Sequence, residues 1–389
     1  MTAIIVQPVL TFPNFVDSGY VNASAGYNPV VMSGGSWLAA RPLTNMQNYF
    51  LNKTARSTNA NESSTWFHVD LGVLRDIGGV MIPRGHNIER TGQVRVRSST
   101  QVNWSGVTVN GVNNSAATSL SVSTTAAIDV KAGDGFTIEG DSQVYQATND
   151  VSIGASTTGS IGVTRVGSSG TGLAVATVGG EDVTCHAGNY TANTSLDTGY
   201  VDVWQVIYAF GTLPYGHPSL ADGKATEEEV AEEPIPFAIY PGTYIDRYWR
   251  IDIKNTGNTD GYIDIGRLVM GRTYEPSLGM VYGSDLSWFS DTVVNKSLGG
   301  ARIANAFKSG KRFTMGLKDI PEDEAMSQIF ATIGRAGLDK QVFISFNKND
   351  TVHKSRRSFL ANLERVDNPI QFAYFNGCDV VFTFQEVIA

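Results

Sequence analysis

Between Arg247 and Gly271 apolar and polar residues alternate with a period of two. Trp249, Ile251 and Ile253 fall on one parity, and Tyr248, Arg250, Asp252 and Lys254 on the other. That is the pattern of a strand with one buried face. Residues 255–261, NTGNTDG, supply turn formers. Ile263, Ile265 and Val269 then open a second strand, interrupted by Gly266, where a bulge or a close backbone approach is expected. The segment reads as a hairpin. The same period recurs in WFHVDLG (66–72), where Phe67, Val69 and Leu71 share a face. It recurs in QVRVRSS (93–99), where Val94 and Val96 alternate with Arg95 and Arg97. IGGVMIPR (77–84) and YVDVWQVIYAFG (200–211) are further strand signals.

One segment switches to a helical period. In PEDEAMSQIFATIGRAG (321–337), Met326, Ile329, Phe330 and Ile333 follow the i, i+3, i+4, i+7 stripe that packs on a sheet. Pro321 suits a first turn, and Glu322, Asp323 and Glu324 suit the positive end of the helix dipole. Gly337 can end the helix. Strand signals follow at QVFISFN (341–347), SFLANLERV (358–366), IQFAYFN (370–376) and CDVVFTFQEV (378–387), so the last region reads as α+β.

Composition divides the rest. From about residue 100 to 196 the chain is Gly, Ser, Thr, Val and Ala with few charges, and spaced Val, Ile, Phe and Tyr predict an ordered barrel or sandwich of short strands. The earlier strand character resumes afterwards, as expected of a domain inserted into a loop of another. The expected organisation is an N-terminal strand and arm (1–30), a sandwich (31–99 plus 197–275), an inserted small β-domain (100–196) and an α+β domain (276–389). The glutamate-rich ATEEEVAEEP (225–234) reads as a solvated loop.

Charge narrows the partners. The 389 residues are 17% charged, contain 41 glycines and carry a net charge of −8. With no Lys/Arg run to follow a phosphate backbone, a nucleic-acid surface is not expected. No apolar run reaches the roughly 18 residues of a membrane helix, and the N-terminus shows neither a basic n-region nor an A-x-A site. Cys185 and Cys378 read as two reduced thiols.

Chemical motifs are sparse. TGNTDG fails the EF-hand template, because its first ligand position would be Thr256 and its twelfth Arg267. SGGSW (33–37) has the wrong spacing for a nucleophile elbow. GHPSLADGK (216–224) and GSSGTG (167–172) do not fit phosphate or dinucleotide loops. His68, His86, His186, His217 and His353 are scattered. Cys185 and His186 are strand neighbours that point to opposite faces. Asp70, Asp252 and Asp264 are expected on solvent faces or capping turns. No catalytic, metal or cofactor residue is therefore nominated. Trp37, His86 and Trp104 remain as possible ligand-loop residues, with buried framework roles the commoner fate of such side chains.

STWFHVDLG (64–72) and RYWRIDI (247–253) together resemble the early and closing strands of discoidin-like, galactose-binding-like jelly-roll domains. The order of DGYIDIGRLVMGRTYEPSLGMVYG (260–283), GKRFTMGLKDIPEDEAMSQIF (310–330) and a terminal VFTFQEV resembles tail proteins of long-tailed bacteriophages. VKAGDGFTIEGDSQVYQATND (130–150) resembles a small β-module of phage structural proteins. The resemblance implies a mainly β chain: a discoidin-like sandwich with an inserted β-domain and a C-terminal α+β domain. It implies a non-enzymatic virion component of the tail tip or baseplate, made in the bacterial cytoplasm. Its partners would be other copies in a ring and neighbouring tail proteins. A module recognising host surface glycan is the alternative.

Overall fold

A computed structural model describes residues 7–17, 30–168, 170–233, 235–280, 284–296, 302–305, 307–364, 370–374 and 377–388. Much of the expected 1–30 arm lies outside them, as do the ends of the 358–366 and 370–376 strand signals. The protein is mainly β, and no described helix is long and apolar enough to cross a membrane. The chain folds into two compact units. One comprises residues 15–204 and 224–270, the other residues 1–14, 205–223 and 271–389.

The first unit contains a five-stranded antiparallel sheet. Its order is Leu196–Asp202, Gln93–Ser99, Tyr244–Lys254, Trp66–Ile77, Val31–Ser33. Ile251 sits opposite both Phe67 and Val96, and Trp249 opposite Val69. One face of the sheet is thus built from Phe67, Val69, Val94, Val96, Trp249, Ile251 and Ile253, all fully buried. The segment read as a hairpin is not one. Tyr244–Lys254 is the central strand between its two partners, whereas Asp264–Ile265 pairs with Ala55–Arg56. A strand flanked on both edges has no free edge for its sequence neighbour. Gly266 marks a close approach, since a Cβ there would lie 2.1 Å from the Leu51 carbonyl oxygen.

Residues 107–185 form a closed six-stranded barrel. Its order is Gly135–Ile138, Tyr145–Ala147, Thr158–Arg165, Ser119–Thr124, Val107–Val109 and Asp182–Cys185, which returns to the first. Val107, Val109, Leu120, Val122, Phe136, Tyr145, Ile161 and Val183 fill the inside, as side chains do in small barrels. Ser, Thr and Gly take the alternate outward positions. The low complexity of this stretch is therefore a two-residue repeat of small-out, branched-in. Thr226 and Glu229 form a reciprocal capping box, so the expected glutamate loop contains a short helix, Glu227–Glu232.

In the second unit, residues 271–274 pair with Val9–Asn14, which pairs with Gln341–Ser345. The sheet continues through Ser358–Leu363, Gly377–Glu386, Gly310–Pro321 and Asp285–Phe289. A continuous helical segment, residues 322–336, packs on it, and its middle, Ala325–Phe330, is π-helical. The wider turn changes the stripe. Ala325, Ile329, Ile333 and Ala336 enter the core with Phe313, Met315, Val342 and Phe382, while Met326 and Phe330 stand exposed. The expected stripe is thus half right, because an i→i+5 turn advances fewer degrees per residue than the 3.6-residue period.

Candidate functional site

The face of the five-stranded sheet opposite its apolar side carries Trp66, His68, Asp70, Tyr248, Arg250 and Asp252. In an open sheet these would meet water. Here the barrel covers them. Gly133 (φ +95°) and Gly135 permit the contact, since a Cβ on the first would lie 2.1 Å from the Trp66 ring and on the second 2.0 Å from Ser33 Oγ. Asp70 and Asp252, expected on solvent faces, are buried instead. Asp252 accepts from Arg97 and Arg250, and Asp264 is chelated by Arg56.

Asp70 is the hub of this seam. It accepts two bonds from Arg247, at 2.6 and 2.9 Å, one from the backbone N–H of Gly72 at 2.9 Å, and one from His186 Nδ1 at 2.8 Å. The Nε2 of His186 lies 3.1 Å from the Thr137 hydroxyl. Burial works to raise the Asp70 carboxyl, but Arg247 and His186 outweigh it and hold the group below its usual range. Hydroxyl, imidazole and carboxylate in line is the arrangement of a nucleophilic triad. The carboxylate is here also held by both bonds from Arg247. The relay ties a barrel strand to a sheet strand. Cys185, one residue before the hub histidine, turns into the barrel, where burial pushes its thiol well up. Both cysteines are free and buried.

Beside the hub lies a less satisfied cluster. The His68 ring stacks on Tyr190 at 5.4 Å, and its Nε2 is 4.0 Å from Asp134. His68 Nδ1, the Tyr190 hydroxyl and Ser33 Oγ are buried without a protein partner, which marks a place for ordered water. Burial, aided by Arg250 and Arg97, drives the His68 imidazole well below its usual value, so the ring is neutral. Among the described residues no group of three or more His, Cys, Asp or Glu is placed to hold a metal.

The three nominated ligand residues are not brought together. Trp104 lies in the barrel core, its Nε1–H donating to Asp134 at 2.9 Å. His86 bridges backbone groups, with Nε2 2.8 Å from the Ile235 carbonyl oxygen and Nδ1 accepting from the Ile88 N–H. Desolvation lowers it to about 4, against which the Ile235 bond works. Trp37 alone lines a recess, of about 280 Å³, between residues 34–43 and the barrel segments 146 and 164–168. Its Nε1–H is spent on the Trp66 carbonyl, and its ring meets Phe67 edge-on. Gln146 ties the walls together, accepting from the Gly34 N–H and donating to the Gly35 carbonyl.

The second unit presents its chemistry outward. Asp285–Phe289 is an edge strand of its sheet, with Leu286 and Trp288 exposed. It leads to a two-stranded arm, Val293–Lys296 with Arg302–Asn305, in which Val293 and Val294 are exposed, as is Phe307 just beyond. Phe210 and Tyr215, in a loop without a charged residue from Val203 to Ala221, are fully exposed. Sequence reading missed these surfaces, since exposed apolar residues look like strand cores until the strand's neighbours are known. Comparison with family models, with curated proteins and with solved structures finds no significant match to this chain.

Proposed function

We propose that this protein is a structural component of a bacteriophage tail tip or baseplate, which associates with copies of itself and with neighbouring tail proteins and performs no catalysis. The observation that carries the reading is the arm with its edge strand. A two-stranded ribbon is marginal in water alone. An unpaired strand edge flanked by exposed apolar side chains is a template for another chain. Trp288, Val293, Val294 and Phe307 offer that chain apolar surface worth about 1.5–3 kcal/mol per fully buried large side chain. The discoidin-like character of the five-stranded sheet, and residence in the virion, belong to the same proposal and rest on the sequence resemblance.

The test is the mass of the purified full chain by light scattering, followed by negative-stain imaging. A closed ring supports the reading. A monomer at all concentrations, with no co-assembly on mixing with tail proteins, refutes it.

A further inference from the structure

We propose that the seam between sheet and barrel is a proton-operated latch: uptake of one proton at His68 releases the barrel, which then pivots on its neck. The barrel closes around its own core, and the apolar face of the sheet lies on the side away from the barrel. Parting the two therefore opens neither core. What holds them is the Asp70–His186 bond at 2.8 Å, the Gln146 amide on residues 34–35, and the contact of the Trp66 ring with the turn at Gly133. The chain crosses between them through a two-stranded neck. The Asn103 N–H donates to the Ala187 carbonyl at 2.8 Å and the Asn189 N–H to the Gln101 carbonyl at 2.9 Å, on either side of the Val102–Gly188 bridge. A few element-terminal residues of this kind are what a hinge requires.

His68 is the group that the closed seam cannot serve in its charged form. It is 2% exposed, and among the described residues its Nδ1 has no partner. Its ring meets Trp66 edge-on at 5.0 Å and stacks on Tyr190 at 5.4 Å. Arg250 lies over the Trp66 ring at 4.1 Å and Arg97 over the Tyr190 ring at 5.9 Å, so a guanidinium flanks each neighbour. The carboxylates of the seam are engaged elsewhere. Asp252 is bound by Arg97 and Arg250, and Asp70 by Arg247 and His186. Asp134 stands 4.0 Å from Nε2, beyond a hydrogen bond, and the turn that carries it is already in contact with Trp66. An imidazolium here is a third cation with an N–H left unserved, whereas an opened seam hydrates it. Burial, then Arg250 and Arg97, accordingly hold the closed ring well below its usual value. The open form thus binds the extra proton. Its ratio to the closed form rises as pH falls below about 6.5, by up to about tenfold per pH unit and about thirtyfold by pH 5. Asp134 works the other way, since burial raises its carboxyl, so the response flattens in stronger acid.

Hydroxyl-radical footprinting of the full chain between about pH 7.5 and 5, read by mass spectrometry, tests this. Labelling of Trp66, Tyr190 and Tyr248 should rise at least about threefold toward the acid end and return on neutralisation. Labelling of Tyr145 in the barrel core and Trp249 in the sheet core should stay level. His68→Phe keeps a ring in place and removes the titration, so its seam should remain closed in acid. His86→Gln removes a buried histidine outside the seam and should respond as the wild type does. Seam labelling that ignores pH, core residues labelled together with the seam, or a His68→Phe chain that responds like the wild type would each overturn the latch. Should that variant fail to fold, the wild-type comparison of seam with core decides alone. None of these outcomes bears on self-assembly through the arm.

Discussion

Replacing Asp70 by Asn probes the seam between sheet and barrel with almost no change of volume. The carboxylate accepts four bonds, two of them from Arg247 and one from His186. An amide must turn its NH₂ toward one of these partners, which sets donor against donor or leaves the guanidinium uncompensated. Breaking a buried ion pair by removing one member costs about 3–5 kcal/mol. The Arg247 side chain keeps 26% of its surface, so water recovers part of this, and about 2–3 kcal/mol is expected. The assay is urea unfolding at neutral pH, with amide exchange followed at Phe136–Ile138 and Val183–His186. Acid supplies a second reading. The folded carboxyl lies below its usual value. Its stabilisation is therefore complete above the unfolded value of about 3.9 and fades as pH falls toward the folded one. The gap between wild type and variant must narrow over that interval. Adding Arg247→Met to the variant should restore part of the loss, with a coupling of about 1–3 kcal/mol. An unchanged urea midpoint, or a gap that stays constant into acid, would refute the hub role of Asp70.

Ile329→Ala should cost about 2–5 kcal/mol, whereas Met326→Ala and Phe330→Ala should each fall within about 0.5 kcal/mol; thermal midpoints decide whether the π-turn sets the stripe. His86 is depressed to about 4, so the unfolded chain binds the extra proton between about pH 6.5 and 4 and stability falls as pH drops through that window. Because the ring keeps some access to water, His86→Gln should remove about 1–2 kcal/mol of that acid loss, read from denaturant midpoints across pH. Val293→Asp with Val294→Asp should lower the association state seen by light scattering while leaving the unfolding midpoint in place.

Strand existence was legible because period-two patterning is local. Phe67, Val69, Trp249 and Ile251 all entered the face their parity assigned. Pairing was less so, since nothing between residues 255 and 263 says whether the next strand folds back or leaves for another partner. The polar parity was misleading for a specific reason. In RYWRIDI the alternate Arg, Tyr and Asp look like a wet face, yet Asp70 and Asp252 are dry because the barrel, supplied by residues 107–185, lies on top. Of the three possible ligand-loop residues, Trp37 is the one that lines a recess. Gln146 was not nominated, because its bonds to the 34–35 segment exist only after the barrel closes.

The barrel leaves and rejoins the sheet at neighbouring rungs, for Leu196 lies directly across the ladder from Ser98. The five-stranded scaffold could thus be spliced shut with a short reverse turn, and its uncovered side would show arginine and aspartate to water. A host of this kind accepts cassette exchange: one appendage can be traded for another while the ladder beneath keeps its register, which gives a lineage a cheap route to altering what it carries at that position.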